Sequence, residues 1–250
     1  MEDRIINSFS KKPKYTTTYA SESNEFEAAV ELLVESFSFV ESTQLHKSMS
    51  AFIYNTPGLK CLLVKKNNEI VGLQCILNRS MDFFGVNYTV AGMSYAAIKR
   101  QFQNTEVGQL LKSTLFSYIE KNADLSLGFA RKAMDNYWYP YGYRGVTNFC
   151  QTKLPLKNVT IVKSNIVSRP AEISDINLIS EMYKETYRNL IGPLIRNKEN
   201  WIFNIKKYEN HASKIMVLLA DDIVIGYYLI YENVVQEVGY TKTHIRQVFH

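Results

Sequence analysis

The run "AMDNYWYPYGYRG", residues 133 to 145, sets four phenols, an indole and a proline side by side. A phenol is both hydrogen-bond donor and weak acid, so Tyr137 and Tyr139 are candidates for moving a proton to a departing group. Trp138 lies between them, and its indole N–H can donate a hydrogen bond but does not titrate near neutral pH. The alternative is a hydrophobic plug that seals the space between strands, and both readings stand at this level. Candidates for a base are sparse. His46 closes the first helical region, where a surface position is expected, and His211, His244 and His250 fall in the second half. Asp82 and Glu25 offer carboxylates, but no spacing singles them out. Nothing points to a metal: there is no His-x-x-x-His, no paired Cys and no clustered carboxylate pattern. Gly-x-Ser-x-Gly and kinase-type loops are missing as well.

The elements that must hold these residues follow from periodicity. "NEFEAAVELLVESF" sets Phe26, Ala29, Val30, Leu33, Val34 and Phe37 on one stripe, behind Ser and Asn suited to capping, and predicts a helix. "HKSMSAFIYNTPG" continues in helical spacing until Asn55, Pro57 and Gly58 stop it. "LKCLLVKK" reads as a buried strand, and the "NN" after it turns the chain back into "EIVGLQCILNRSMDFF", which makes a hairpin. "GVNYTVAGMSYAAI" predicts a long third strand with a bulge or splay at Gly92. "TEVGQLLKSTLFSYIEKN" has helical spacing and precedes the apolar run "LSLGFA", a strand–helix–strand unit. Short helical turns are expected up to Pro140, then a strand in "TNFCQTKL".

From about Val159 the pattern begins again. "SKIMVLLADDIVIGYYLIY" mirrors "GLKCLLVKKNNEIVGLQCIL", with Gly226 matching Gly72 and Tyr187 matching Phe37, so the chain reads as internally duplicated. The second copy runs out after its third strand, "EVGYTKTHIRQVFH", without a counterpart to the Gly108 helix.

Composition sets outer bounds. At 46% hydrophobic and 21% charged, the 250-residue chain is neither disordered nor membrane-embedded in type. Its 17 Tyr and 13 Phe against 2 Trp favour β-rich packing and aromatic-lined pockets. The net charge of +5 is spread along the chain. Its densest basic spots, "FSKKPKY" and "SYAAIKRQF", read as solvated surface, and no recognition-helix, zinc or stacking motif accompanies them, so nucleic acid is not an expected partner. Cys61, Cys75 and Cys150 are odd in number and lack metal spacing, which reads as buried thiols. With no signal-like start and no apolar run near 18 residues, no membrane partner is expected, and the cytoplasm is the expected compartment.

The order helix pair, hairpin, long third strand, helix, strand, short helix and final strand resembles the GNAT (GCN5-related) N-acetyltransferases. The resemblance implies an α/β (α+β) fold with a mixed, largely antiparallel central sheet over residues 1–155, and a partial second GNAT-like unit over 156–250. It is most specific in "VAGMSYAAIKRQFQNTEVGQLLKSTL". In that family a strand with exposed backbone leads through a Gln/Arg-x-x-Gly-x-Gly/Ala loop into a helix N-terminus, and the loop cradles the pyrophosphate of acetyl-CoA. Here it reads Gln103-Asn104-Thr105-Glu106-Val107-Gly108, agreeing at its last position and carrying Glu106 in place of the middle glycine. Backbone N–H groups and the positive end of the helix serve the phosphates. Glu106 opposes them unless it turns to solvent or pairs with Lys99 or Arg100, although a Glu in the first turn also simply favours the dipole.

The same resemblance gives the thioester carbonyl to backbone amides around Ala96, Ala97 and Ile98. It gives the acid for the thiolate to a Tyr four residues before the Gly of a Gly-aromatic pair. Counting back from Gly142 lands on Trp138, with Tyr137 and Tyr139 beside it. A one-residue shift on a helix turns a side chain by about 100°, so only one neighbour could face the thiol.

Within the superfamily the chain is similar to the tandem-GNAT group named after the Eis protein, on "AGMSYAAI", "GFARKAMDNYWYPYGYRG" and the second GNAT-like half. This implies an acyl-CoA-dependent N-acyltransferase with acetyl-CoA as donor and no metal. The acceptor would be a small-molecule amine or a protein or peptide amine, attacking directly in a ternary complex. Members of that group continue through a complete second domain into a sterol-carrier-like third. This chain is expected to stop short of both, and a role for His250 as a C-terminal base is not expected. "YRNLIGPLIRNKENWIFNI", with Arg196 and Trp201, is either part of an acceptor-cleft wall or a helix-turn-helix with a core tryptophan. The alternative to catalysis is a GNAT-like scaffold that binds a ligand or partner. A third reading makes the chain one piece of an assembly, its incomplete second half completed by another subunit or a swapped copy through the edge strand in "IVIGYYLIYENVV", and a homo-oligomer is compatible with each.

Overall fold

The structure, a computed structural model, describes residues 14–37, 42–128, 130, 134–145, 165–190, 192–208, 213–231 and 234–244. Cys150, His211, His250 and the strand expected in "TNFCQTKL" lie outside the described residues. The chain divides into two compact units: Met1–Asn78 with Ala91–Asp124, and Arg79–Val90 with Leu125–His250.

The first unit begins with β1 (Thr16–Tyr19), α1 (Ser23–Ser36) and α2 (Ser42–Asn55). It continues with β2 (Leu59–Lys66), most of β3 (Glu69–Phe83) and the second part of β4 (Val86–Ile98), and ends with α3 (Glu106–Asn122). A capping box starts α1: the Glu25 carboxylate accepts the Ser21 and Glu22 N–H groups at 2.7 and 3.2 Å. Asn67 and Asn68 both take left-handed φ, +50° and +67°, which is the type I′ turn that matches strand twist. Successive side chains of β2 then face opposite ways. Cys61 and Leu63 join Leu33, Met49, Leu73 and Cys75 under α1 and α2, while Leu62 and Val64 join Val107, Leu111 and Leu115 under α3. Cys61 and Cys75 are register partners, fully buried, with Sγ atoms 4.0 Å apart. Gly72 permits the close seat of α3, since a Cβ there would lie 2.9 Å from Val107 Cγ1 and 3.1 Å from Leu111 Cδ1.

β1 was not expected from the polar start. Thr16, Thr17 and Thr18 suit a strand, but the strand is mostly exposed and carries no apolar alternation to betray it. It pairs antiparallel with β2, Thr16 opposite Lys65 and Tyr19 opposite Leu62.

The second unit holds the far ends of β3 and β4, then β5 (Leu125–Gly128), α4 (Asp135–Trp138), β6 (Ile166–Pro170) and α5 (Ile176–Tyr187). β7 (Leu194–Ile195), α6 (Lys198–Tyr208), β8 (Ser213–Ala220), β9 (Ile223–Tyr231) and β10 (Val234–Tyr240) follow. The strand orders are β1-β2-β3-β4-β5 with β7 on β3, and β10-β9-β8-β6. "YRNLIGPLIRNKENWIFNI" is a helix end, a two-residue strand and a helix. β7 interrupts the expected helix-turn-helix because Gly192, at φ +74°, donates its N–H to Asp82 O and turns the chain onto β3. Trp201 is a core residue, 1% exposed, edge-on to Tyr183 and Tyr227.

The duplication is visible residue by residue. Asp221 and Asp222 repeat the left-handed pair, at φ +49° and +63°. In β2–β3 the register shifts between Val64↔Gly72 and Lys65↔Ile70, and in β8–β9 between Leu218↔Gly226 and Leu219↔Val224, so both bulges fall at the same place, 226 − 72 = 154 residues apart. The bulged carbonyls are used alike: Val71 O accepts Lys99 N–H at 3.0 Å, and Ile225 O accepts Thr241 N–H at 3.1 Å. The box of Glu22 and Glu25 recurs in Glu172 and Asp175, with Glu25 paired to Lys65 and Asp175 to Arg169.

Candidate functional site

β4 delivers the chain to a tight turn. After Ile98 comes a single 3₁₀ turn, Arg100–Phe102, then extended Gln103, Asn104 at φ +59° and Thr105 as the N-cap of α3. An asparagine tolerates that left-handed backbone better than most residues, which explains its place. The turn is held by its own side chains. Gln103 Nε2 donates to Ile98 O at 3.2 Å, and Thr105 Oγ1 donates to Phe102 O at 2.6 Å while accepting from Val107 N–H at 3.4 Å. Buried Val107 and Leu111 anchor the first turns of α3, a helix of 17 residues whose N-terminus carries partial positive charge. A Cβ on Gly108 would meet Ile98 Cδ1 at 3.5 Å, an ordinary contact, so the protein's own packing does not require glycine there.

Glu106 pairs with neither Lys99 nor Arg100. Its carboxylate meets Lys14 Nζ at 2.7 Å, with both side chains more than half exposed, and that hydrogen bond raises the Lys14 pKa. Lys99 is committed elsewhere: its backbone bonds Val71 O and its Nζ lies 2.7 Å from Glu69, at the start of β3. The partner of Glu106 thus comes from the residues just before β1.

Along β4, Ala96 is exposed, Ala97 buried and Ile98 half-buried. Gly92 allows close approach of Leu77, 3.3 Å from where a Cβ would stand. The residue missed from sequence is Gln74 on β3, 8% exposed, whose Nε2 donates to Cys75 O at 2.9 Å, Ser94 O at 3.0 Å and Tyr95 O at 3.4 Å. Its signal was one amide inside the apolar run "IVGLQCIL".

The aromatic run belongs to the second unit. α4 passes into a 3₁₀ turn, Tyr139–Tyr141, ended by Gly142 at φ +85°. Half-buried Trp138 is the hub, with ring centroids 5.0 Å from Tyr137, 5.4 Å from Tyr143 and 6.5 Å from Tyr141. Tyr137 and Tyr139 are each 42% exposed. Arg144 donates to Tyr139 O at 3.1 Å and lies over its ring. Tyr143 donates to Ser126 Oγ at 2.7 Å, and burial raises its pKa.

Three of the other described candidates make contacts of their own. His46 Nε2 lies 3.1 Å from Glu31 on the surface. Asp82 Oδ1 accepts Gly85 N–H at 2.6 Å in the β3–β4 turn. Glu25 is tied to the α1 cap and to Lys65, which hold its pKa down at about 2. His244 falls in a 3₁₀ turn after β10.

Helix pair, hairpin, long strand and capped helix on a mixed sheet make this the GNAT fold. Among the solved structures that share it are three acyltransferase-like proteins. A protein of Enterococcus faecalis described as a probable N-acyltransferase superposes at TM-score 0.68 with 14% identity, over 94% of this chain and 61% of that one. A GCN5-related N-acetyltransferase of Anabaena variabilis gives 0.64 and 14%, over 94% and 61%. The N-myristoyltransferase of Saccharomyces cerevisiae with bound myristoyl-CoA gives 0.57 and 13%, over 88% and 58%. At these identities the likeness is one of fold, and the chain spans less than two thirds of each structure's length. No family model matches the chain, and no curated protein is significantly similar to it in sequence.

Proposed function

We propose that this chain binds acyl-CoA, acetyl-CoA in the first instance, at the β4–α3 turn and transfers the acyl group to an amine. The observation that carries the proposal is the turn itself: a strand with an exposed residue at Ala96 runs through left-handed Asn104 into a Thr105-capped helix. The residues there fit a pyrophosphate. The N–H groups of Gln103 and Val107 bond Arg100 O and Thr105 Oγ1, so the donors of this reading are the backbone of Asn104, Thr105, Glu106 and Gly108 at the N-terminus of α3, and the opposing charge of Glu106 is compensated by Lys14. Backbone amides of Ala96, Ala97 and Ile98 would polarise the thioester carbonyl. The amine attacks the carbonyl carbon directly and the C–S bond breaks. Tyr137 or Tyr139 protonates the departing thiolate and is restored by the proton that the amine nitrogen sheds, and Trp138 packs against the Tyr137 ring.

Acceptors of this proposal are small-molecule or peptide amines, on the Eis-like pattern, with residues 1–155 as the acyl-CoA-binding domain and 156–250 as a partial repeat. A cytoplasmic homo-oligomer is part of the same proposal. Calorimetric titration with acetyl-CoA tests it: saturable binding is expected, and no binding of any acyl-CoA at millimolar concentration overturns it. Glu106 favours a second reading, a scaffold without chemistry, since a carboxylate in the first turn of α3 weakens phosphate binding. Binding without turnover over a panel of amines would select that reading.

A further inference from the structure

We propose that Gln74 is the positioning residue of the acyl site, fixing the peptide between Tyr95 and Ala96 so that the Ala96 N–H faces away from β3. This rests on the acyl-CoA reading above. Successive carbonyls of a regular strand point to opposite edges. Ser94 O and Tyr95 O are successive, yet both lie within hydrogen-bond distance of one atom, Gln74 Nε2, at 3.0 and 3.4 Å. β4 is therefore locally irregular at Ser94 and Tyr95. Three carbonyls surround Nε2, counting Cys75 O at 2.9 Å, which fixes the amide as donor on that side.

A trans peptide sets its N–H opposite its C=O. With Tyr95 O drawn toward β3, the Ala96 N–H turns to the other side of β4. Ala96 is exposed, while its neighbour Ala97 is buried at 5%. The donor for a developing oxyanion is thus aimed by a buried side chain on the adjacent strand, before any ligand arrives.

The duplicated half supplies a contrast. The equivalent position is 74 + 154 = 228, where Tyr228 has no amide to offer and pairs with Val238 in the ladder to β10. The second copy keeps the hairpin, the bulge and the cap, and lacks this device.

The test uses acetyl-CoA labelled with ¹³C at the carbonyl and the full chain. On the wild type, the bound carbonyl signal should move downfield from its free value. Gln74→Met, of similar length but without a donor, should bind plain CoA as the wild type does and lose most of that shift. Turnover over the amine panel should fall on the order of ten- to a hundredfold. An unchanged shift and turnover would overturn the proposal. If Gln74→Met does not fold, the wild type still decides: the Ala96 amide proton should move when acetyl-CoA replaces CoA, and a stationary signal overturns the assignment. A wild type that binds no CoA rejects the acyl-CoA reading itself, an outcome distinct from binding that is indifferent to Gln74.

Discussion

At the scale of single residues, Glu106 carries the most information because it opposes its own site. Replacing it with glycine removes a negative charge from the first turn of α3 and releases Lys14 toward a phosphate. Acetyl-CoA binding should tighten about two- to fivefold, the effect of one exposed charge at a helix end. Calorimetry at two salt concentrations checks this, and the gain should shrink at the higher one. Unchanged affinity would show that phosphate does not approach Glu106. The phenols are separable by the same logic. Both are exposed, so Tyr137→Phe and Tyr139→Phe should leave the fold intact. The one that serves as acid should lose about a hundredfold in turnover. Equal turnover in both variants removes the run from the mechanism and leaves Trp138 as the centre of a surface aromatic cluster.

At the scale of elements, two contacts decide how the first unit holds together. Gly72 lets α3 lie against β3, and Gly72→Ala forces Val107 and Leu111 aside, at a cost of about 1–3 kcal/mol measurable by urea unfolding. The start of α1 depends on Glu25. Its folded pKa of about 2 lies below the ordinary 4.5, so the stabilisation is fully present above about pH 4.5 and is lost as pH falls through 2. Unfolding free energy of the wild type should decline across that window, and Glu25→Gln should flatten the decline. An identical pH profile in the variant would mean that the carboxylate is not held by Lys65 and the cap. Elements were legible where their signals are local: the stop of α2 before Pro57, the paired asparagines, the alternation in β2. β1 and β7 were not. Each is short, and each exists only because a distant edge accepts it, β2 for one and β3 for the other.

At the scale of the whole molecule, duplication of a fold is not duplication of a site. Both halves share strand, helices, bulged hairpin and third strand, yet Gln74 and the Asn104–Gly108 turn occur in the first copy. Hydrogen exchange with saturating acetyl-CoA should protect residues 91–108 and leave β8, β9 and β10 unchanged. Protection confined to the second half would transfer the site to the other copy.

The sequence by itself determined the repeat, the hairpin turns and the faces of α1, α3 and β2, since these rest on periodicity and on backbone preferences of neighbouring residues. The cap of α1, expected from Ser and Asn, is made by Glu22 and Glu25. Tertiary structure decided the partner of Glu106, the strand pairings of β1 and β7, and the reach of Gln74 to Ser94 and Tyr95. Those depend on which groups meet across 20 to 115 residues of chain, for example Gln74 with Ser94 or Ser80 with Ile195. Such meetings leave no local pattern, because many polar side chains could satisfy a buried carbonyl or an exposed charge, and packing selects the one that does.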